Sequence, residues 1–238
     1  MDIAIQVSAK RCALALGFIV VALVAASLGA TWLSFQAIDD PFLREVGESV
    51  TRLAWVDEEG NIPAWYSASL LLLCAFLLAA IASAERQHQS RYAVGWLILS
   101  LVFVYLSLDE SAQLHELSIP PLRNLFTPTG LLYYPWIVPA GICVALLALG
   151  YWRFLTKLPA RTRWLFLLAG AVFVTGALGI EALSGQQALL HGERNLTYHL
   201  IVTLEELLEM AGVVVFIYAL LDHIGRQFRK LGFEVSSR

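Results

Sequence analysis

Residues 198–221 have the sequence YHLIVTLEELLEMAGVVVFIYALL, a single apolar run that contains Glu205, Glu206 and Glu209. The run is long enough for a helix that crosses a bilayer, which needs about 20 predominantly apolar residues. A carboxylate near the bilayer centre costs at least about 3 kcal/mol on insertion scales. Three carboxylates within one turn and a half of such a helix therefore indicate a functional site.

The composition of the whole chain is that of a membrane protein. The chain has 238 residues, of which 58% are hydrophobic and 15% are charged, and its mean hydropathy is +0.69. A soluble domain carries about 25% charged residues, so the predicted fold is an all-α polytopic membrane helix bundle. No basic stretch is interleaved with aromatic residues, and nucleic acid is not an expected partner. The three cysteines lie in apolar runs or at their edges, so no disulfide framework is expected.

Six apolar segments, each long enough to cross the membrane, follow one another in a single transmembrane domain that covers residues 1–238. They lie at about residues 12–35, 64–84, 92–114, 135–155, 164–184 and 199–222. The first is longer than the apolar part of a signal peptide, so it is predicted to be a retained span. The outer loop 36–63 is acidic, and its acids are expected to form a solvated surface. Within it, LREVGESVTRLAWV at 43–56 has the apolar stripe of a short interfacial helix.

The basic residues predict the orientation of these spans. Twelve of the 16 Lys and Arg residues flank the spans on one set of alternate loops, and the other four are Arg44, Arg52, Arg123 and Arg194. Because short loops rich in Lys and Arg stay on the cytoplasmic side, both termini are predicted to be cytoplasmic. The expected location is a bacterial-type plasma (inner) membrane.

With this topology, acids from three spans converge near the outer face. Span 3 ends in LSLDESAQLHE, span 5 ends in GALGIEALSG, and span 6 begins with the quoted run. By helical spacing, Asp109, Gln113 and Glu116 share one stripe, and His199 shares another with Glu206. Glu206 and Glu209 are the predicted catalytic residues. The predicted metal ligands are Asp109, Glu110, His115, Glu116, Glu181, His199, Glu205, Glu206 and Glu209.

Such a cluster needs something to offset the repulsion between its carboxylates. Ionised carboxylates repel one another and burial disfavours their charge, so the cluster must share protons, pair with cations or bind a metal. Arg123 and Arg194 are too few to neutralise it. Imidazole and carboxylate ligands together suit Zn, Fe or Mn, so a divalent metal is the predicted cofactor and no organic cofactor site is predicted. The Glu-x-x-His motif of bundle di-metal proteins is absent, so no family is assigned.

Three functions stay open from the sequence. The preferred one is a metal-dependent membrane enzyme, a hydrolase or an oxidoreductase, that acts on a lipid-like substrate entering from the bilayer. The second is a cation- or proton-coupled transporter or channel subunit, although the inner halves of the spans carry almost no ionisable residue. The third is a non-catalytic accessory or sensor subunit. The expected partners are the lipid bilayer and a lipid-like substrate or cation, and no feature indicates an oligomeric state.

Overall fold

The structure is a computed structural model that describes residues 8–36, 39–125, 127 and 129–228. The protein is 85% helical and the described residues contain no strand, which confirms the all-α prediction. A π-helical turn, Thr175–Ile180, joins the seventh and eighth helices. In chain order the α-helices are α1 (Ala9–Ser34), α2 (Pro41–Ala54), α3 (Ile62–Gln87), α4 (Ala93–Ala112), α5 (Ile119–Leu125), α6 (Ile137–Lys157), α7 (Ala160–Val174), α8 (Glu181–His191) and α9 (Leu196–Gln227).

Five helices of the described chain are long and apolar enough to cross a membrane. They are α1, α3, α4, α6 and the continuous helix Ala160–His191, which comprises α7, the π turn and α8. The first five predicted spans each fall on one of these helices. The fifth runs on to His191, whereas the prediction ended it at residue 184. The sixth predicted span lies within α9, which is not among the five, so the sixth crossing stays a prediction.

Polar caps fix where several of these helices begin. The side chain of Asn61 accepts a hydrogen bond from the Ala64 N–H at 3.1 Å, and Asn195 accepts one from the Tyr198 N–H at 3.0 Å. Each bond satisfies a backbone donor that has no partner inside the first turn of a helix. The caps thus set the starts of α3 and α9, the two helices that carry most of the buried residues.

The centre of the bundle is formed by α3 and α9. Leu78 and Ile81 of α3 and Ile217 and Leu220 of α9 are fully buried. Trp96 of α4 packs edge-on against Phe154 and Phe166. The core lies at the end of the bundle opposite the glutamates of α9, so apolar packing fills that end.

Close contact between α7 and α9 depends on glycine. A Cβ added at Gly212 of α9 would lie 2.7 Å from the Phe173 nitrogen and 3.0 Å from the Ala169 oxygen. A Cβ at Gly176, in the π turn, would lie 2.8 Å from the Glu205 oxygen. Gly176 thus permits the close approach of α9, whereas a Cβ added at Gly170 would meet no atom within 4 Å.

The predicted short helix of the outer loop is present as α2. It is anchored to α1 because the Thr51 hydroxyl donates to the Ala30 carbonyl at 3.3 Å. Its apolar side chains point away from the protein: Phe42 is 71% exposed and Leu53 is 51% exposed. This exposed apolar face agrees with an interfacial location, which stays a prediction.

Candidate functional site

The first glutamate of α9 meets the start of α8. Glu205 is 6% exposed, and its carboxylate accepts a hydrogen bond from the Ser184 hydroxyl at 3.1 Å. Glu181 accepts a hydrogen bond from the Trp136 indole N–H at 3.0 Å and lies within hydrogen-bonding reach of Glu205. Two carboxyl groups this close need a shared proton or a cation between them, because two bare anions repel.

Glu206 and Glu209 extend this cluster toward α4. Glu206 is near enough to Glu209 and Glu110 for their charges to interact. Glu110 is likewise the leading charged neighbour of Glu209, and the Ser67 hydroxyl of α3 lies within hydrogen-bonding reach of Glu110. Carboxylates of α4, α8 and α9 are therefore near enough for their charges to interact, but among the described residues none of them belongs to a group whose ligand atoms lie within 4.8 Å of one another.

The chain turns back on itself where α4 ends. Gln113 has a left-handed backbone with φ 54°, and the turn brings the His115 N–H to within 2.7 Å of Asp109 Oδ1. The His115 ring nitrogen Nδ1 lies 3.0 Å from Asp109 Oδ2, which leaves Nε2 for another partner. The predicted stripe of Asp109, Gln113 and Glu116 is therefore wrong, because it required the helix to continue. Burial alone would lower the pKa of His115, but the hydrogen bond and charge of Asp109, together with the charges of Glu181 and Glu59, outweigh burial and raise that pKa.

One acid from the outer loop joins His115. The candidate ligand atoms of Glu59, His115 and Glu116 all lie within 4.8 Å of one another. Glu59 Oε2 is buried and has no hydrogen-bond partner among the described residues. Burial and the charge of Glu116 raise the pKa of Glu59 to about 7. These three residues are called the Glu59–His115–Glu116 group, and a cation among them would supply the partner that Oε2 lacks.

Asp57 lies beside the deeper carboxylates. Burial and the charges of Glu181 and Glu193 raise the pKa of Asp57 to about 7. The Tyr198 hydroxyl donates to Asp57 Oδ2 at 3.5 Å and lies 3.4 Å from the Tyr134 hydroxyl. The Tyr134 hydroxyl also donates to Glu193 Oε1 at 3.4 Å, so a chain of two hydroxyls connects Glu193 with Asp57.

The expectation that all acids of residues 39–59 are solvated is wrong for Asp57, Glu58 and Glu59. All three are half-buried, because their neighbour Val56 is 3% exposed and its N–H donates to the Ser27 hydroxyl of α1 at 3.1 Å. The remaining described acids of α2 and its start are exposed, as expected. The only local sign of this burial in the sequence was the apolar pair Trp55-Val56, which stands directly before Asp57 and shortly before Asn61, the cap of α3.

His199 does not share the environment of the other predicted ligands. Its ring lies 4.8 Å from the Trp55 ring and 5.6 Å from the Phe35 ring, measured between centroids. His199 thus faces α1 and the end of α2, and this geometry gives no support to its predicted role as a metal ligand. The carboxylate site is defined here as Asp57, Glu59, Asp109, Glu110, His115, Glu116, Glu181, Glu205, Glu206 and Glu209.

A family profile covers nearly the whole of this fold. The profile described as "Domain of unknown function (DUF8692)" matches residues 14–224. The chain belongs to this family. The matched region of this DUF8692 protein includes all ten residues of the carboxylate site. No curated protein and no solved structure matches the chain.

The chemistry of the carboxylate site follows from its composition. The Glu59–His115–Glu116 group offers one imidazole nitrogen and two carboxylates, a donor set that suits Zn, Fe or Mn. Asp109 fixes the orientation of His115 through two hydrogen bonds, which is the role that outer carboxylates play for metal-binding histidines. The deeper acids can hold a second positive charge or exchange protons with a bound reactant.

Proposed function

We propose that this protein is a metal-dependent membrane enzyme that acts on a lipid-like substrate. The observation that carries the proposal is the convergence of Glu59, His115 and Glu116 within 4.8 Å, beside the carboxylates of α8 and α9. The metal would be Zn, Fe or Mn, because the donors are mixed imidazole and carboxylate. It would polarise a substrate oxygen or activate water or dioxygen, which makes the enzyme a hydrolase or an oxidoreductase.

In this proposal the deep glutamates carry out the proton transfers. Glu206 and Glu209 lie one helical turn apart on α9, next to Glu110. A carboxyl group beside a reacting atom can donate and accept protons in turn. Asp109 then acts as a positioning residue for His115. Glu181 and Glu205 form the side of the site next to α8, where they accept hydrogen bonds from Trp136 and Ser184 respectively.

We further propose that α9 is the sixth span, with both termini on the cytoplasmic side. Its 32 residues extend over about 48 Å at 1.5 Å per residue, which exceeds the roughly 30 Å of the hydrocarbon core. The alternation of basic loops supports this orientation. The carboxylate site would then open on the outer face of a bacterial-type plasma membrane.

Exposed apolar side chains beside the site support a substrate from the lipid phase. Leu204, next to Glu205, is 45% exposed, and Leu183, next to Ser184, is 46% exposed. Such residues would contact acyl chains while the polar part of a substrate reaches the carboxylates. A transport pathway is less well supported, because Leu78, Met210 and Ile217 are all 0% exposed and fill the interior beyond Glu209.

Elemental analysis of the detergent-purified full-length protein tests the metal. We expect about one equivalent or more of Zn, Fe or Mn in the wild type and a marked loss in Glu59→Gln and in His115→Gln. Glu48→Gln is the matched control, because Glu48 is an exposed acid of α2. A wild type that binds none of the three metals on titration, or full metal binding by Glu59→Gln, would refute the metal site.

Conversion of lipids by the protein in liposomes tests the enzyme. Lipid products are followed by mass spectrometry with and without a chelator. We expect conversion that the chelator abolishes and that Glu206→Gln lowers by at least about 100-fold while metal content stays near the wild-type value. Conversion that is indifferent to both changes would count against the proposal.

A further inference from the structure

A cavity that is partly open to the outside lies at the end of the bundle opposite the carboxylate site. It measures about 340 Å³ and is bordered by the ends of α3, α4, α6 and α9, within the size range of small-molecule sites. Its walls include Glu85, Tyr92, Trp96, Phe154, Lys157 and His223. None of these residues belongs to the carboxylate site, so the cavity needs its own explanation.

His223 supplies a buried polar atom on the cavity wall. The residue is 3% exposed, and its Nδ1 lies 3.2 Å from the Thr162 hydroxyl oxygen. Its other ring nitrogen, Nε2, is buried and has no hydrogen-bond partner among the described residues. A buried donor or acceptor without a partner destabilises the fold. When the Thr162 hydroxyl donates to Nδ1, Nε2 carries the proton and can donate to a ligand oxygen.

Aromatic rings form the adjacent wall. The Trp96 and Phe154 rings lie 5.0 Å apart, and the Tyr92 and Phe154 rings lie 6.3 Å apart, measured between centroids. Phe154 is held in place over Gly95, where an added Cβ would meet the ring at 2.9 Å. The Trp96 ring is only 1% exposed, and the Arg91 guanidinium already lies 5.1 Å from the Tyr92 ring centroid, so these rings form an apolar wall and not a binding surface for a cation.

The charged residues of the cavity have opposite signs. Lys157, at the end of α6, is exposed, and Glu85, near the end of α3, is half-buried. A ligand with an acidic oxygen group and an amine could therefore pair with both, the acid with Lys157 and His223 and the amine with Glu85. A ligand with only one sign of charge would be repelled by either Lys157 or Glu85.

Two exposed tryptophans place this end of the bundle near lipid head groups. Trp152 is 64% exposed and Trp164 is 66% exposed, and both flank the connection between α6 and α7 that borders the cavity. Exposed tryptophans are typical of the level where a bilayer meets water. The ligand source that this position favours is thus the membrane itself.

We propose that the cavity binds the head group of a zwitterionic phospholipid of the phosphoethanolamine type. The phosphate oxygens accept hydrogen bonds from Lys157 and His223. The primary amine pairs with Glu85. The site is independent of the proposed metal chemistry and would persist in a protein with no enzymatic activity.

Binding of short-chain lipids to the full-length protein in detergent tests the proposal. The probes are dihexanoyl phosphatidylethanolamine, dihexanoyl phosphatidylglycerol and soluble phosphoethanolamine, titrated by calorimetry. We expect the ethanolamine lipid to bind at least about 10-fold more tightly than the glycerol lipid, a difference of about 1.4 kcal/mol. Equal affinity for the two lipids, or binding of none of the probes, would overturn it.

Three variants separate the site from general effects on the fold. Lys157→Gln, at an exposed position, and His223→Gln should each weaken the ethanolamine lipid by about 10-fold or more. His88→Gln is the control, because His88 is an exposed histidine at the same end outside the cavity lining, and its affinity should match the wild type. Unchanged binding by Lys157→Gln would refute the proposed phosphate contact. Soluble phosphoethanolamine that binds as tightly as the lipid would support the same chemistry and assign it to a soluble ligand.

Discussion

Gly176→Ala probes the contact between the π turn and α9, which brings Glu181 close to Glu205. The added Cβ would lie 2.8 Å from the Glu205 oxygen and 2.9 Å from Glu209 Cγ, whereas ordinary contact begins at 3.4 Å. The difference, 3.4 minus 2.8, requires the π turn and α9 to separate by about 0.6 Å. Overpacking on this scale costs about 1–3 kcal/mol.

Gly170→Ala is the matched control for this prediction. Gly170 lies in the same continuous helix, and an added Cβ there meets no atom within 4 Å. Both variants gain the same backbone term, about 0.5–1 kcal/mol for replacing glycine by alanine in a helix. The difference between their free energies of unfolding therefore isolates the packing term, which we expect to be about 1–3 kcal/mol.

The assay is denaturant unfolding of the purified variants in one detergent, followed by measurement of bound metal. We expect Gly176→Ala to be less stable than Gly170→Ala, whereas bound metal should be equal in the two variants, because the Glu59–His115–Glu116 group lies outside this contact. Equal stability of the two variants would refute the reasoning about this contact.

Three further predictions concern the same site. Asp109→Asn should weaken metal affinity by about 10- to 100-fold, since the second partner of a ligating histidine is lost, and competition with a chromogenic chelator measures it. In metal-free protein, raising the pH from 4 to 8 should lower the melting temperature. The pKa values of Asp57 and Glu59 are raised from 3.8 and 4.5 to about 7 in the folded state. Between the lower and the higher pKa values the folded state therefore binds more protons than the unfolded state, and stability falls as the pH rises. A melting temperature that instead rises with pH would contradict this prediction. Trp136→Phe removes the hydrogen bond to Glu181 and should cost about 1.5–3 kcal/mol of unfolding free energy; a stability equal to the wild type would show that the bond contributes nothing.

The helices could be predicted from the sequence because apolar runs of 20 residues have few alternatives in a membrane. Their ends were less accessible. Span 2 was predicted from residue 64, but α3 begins at Ile62, since Asn61 caps it with its side chain. Likewise α9 begins at Leu196 because Asn195 caps it. A polar cap lies outside the apolar run and adds nothing to its hydropathy.

The convergence of Glu181 with Glu205 and Glu209 could be predicted because topology alone places the ends of spans 5 and 6 on one side. Glu59 could not, because its burial depends on the hydrogen bond between Val56 and Ser27, residues that are far apart in sequence. His199 was assigned to the site from helical periodicity, but the rings of Trp55 and Phe35, both outside its helix, decide its surroundings. Long-range contacts of this kind leave no trace in local spacing.

The π turn at Thr175–Ile180 has a consequence for how this site could arise and be lost. A π turn is equivalent to one residue inserted into an α-helix, and one residue corresponds to about 100° of rotation about the axis. If residues 175–180 wound as regular α-helix without a change in length, Glu181 and Ser184 would rotate by about 100° away from Glu205. A helix of unchanged hydropathy would still form, but the site would be dismantled. In this fold, the winding of one helical turn, and not only the identity of its acids, determines whether the carboxylates meet.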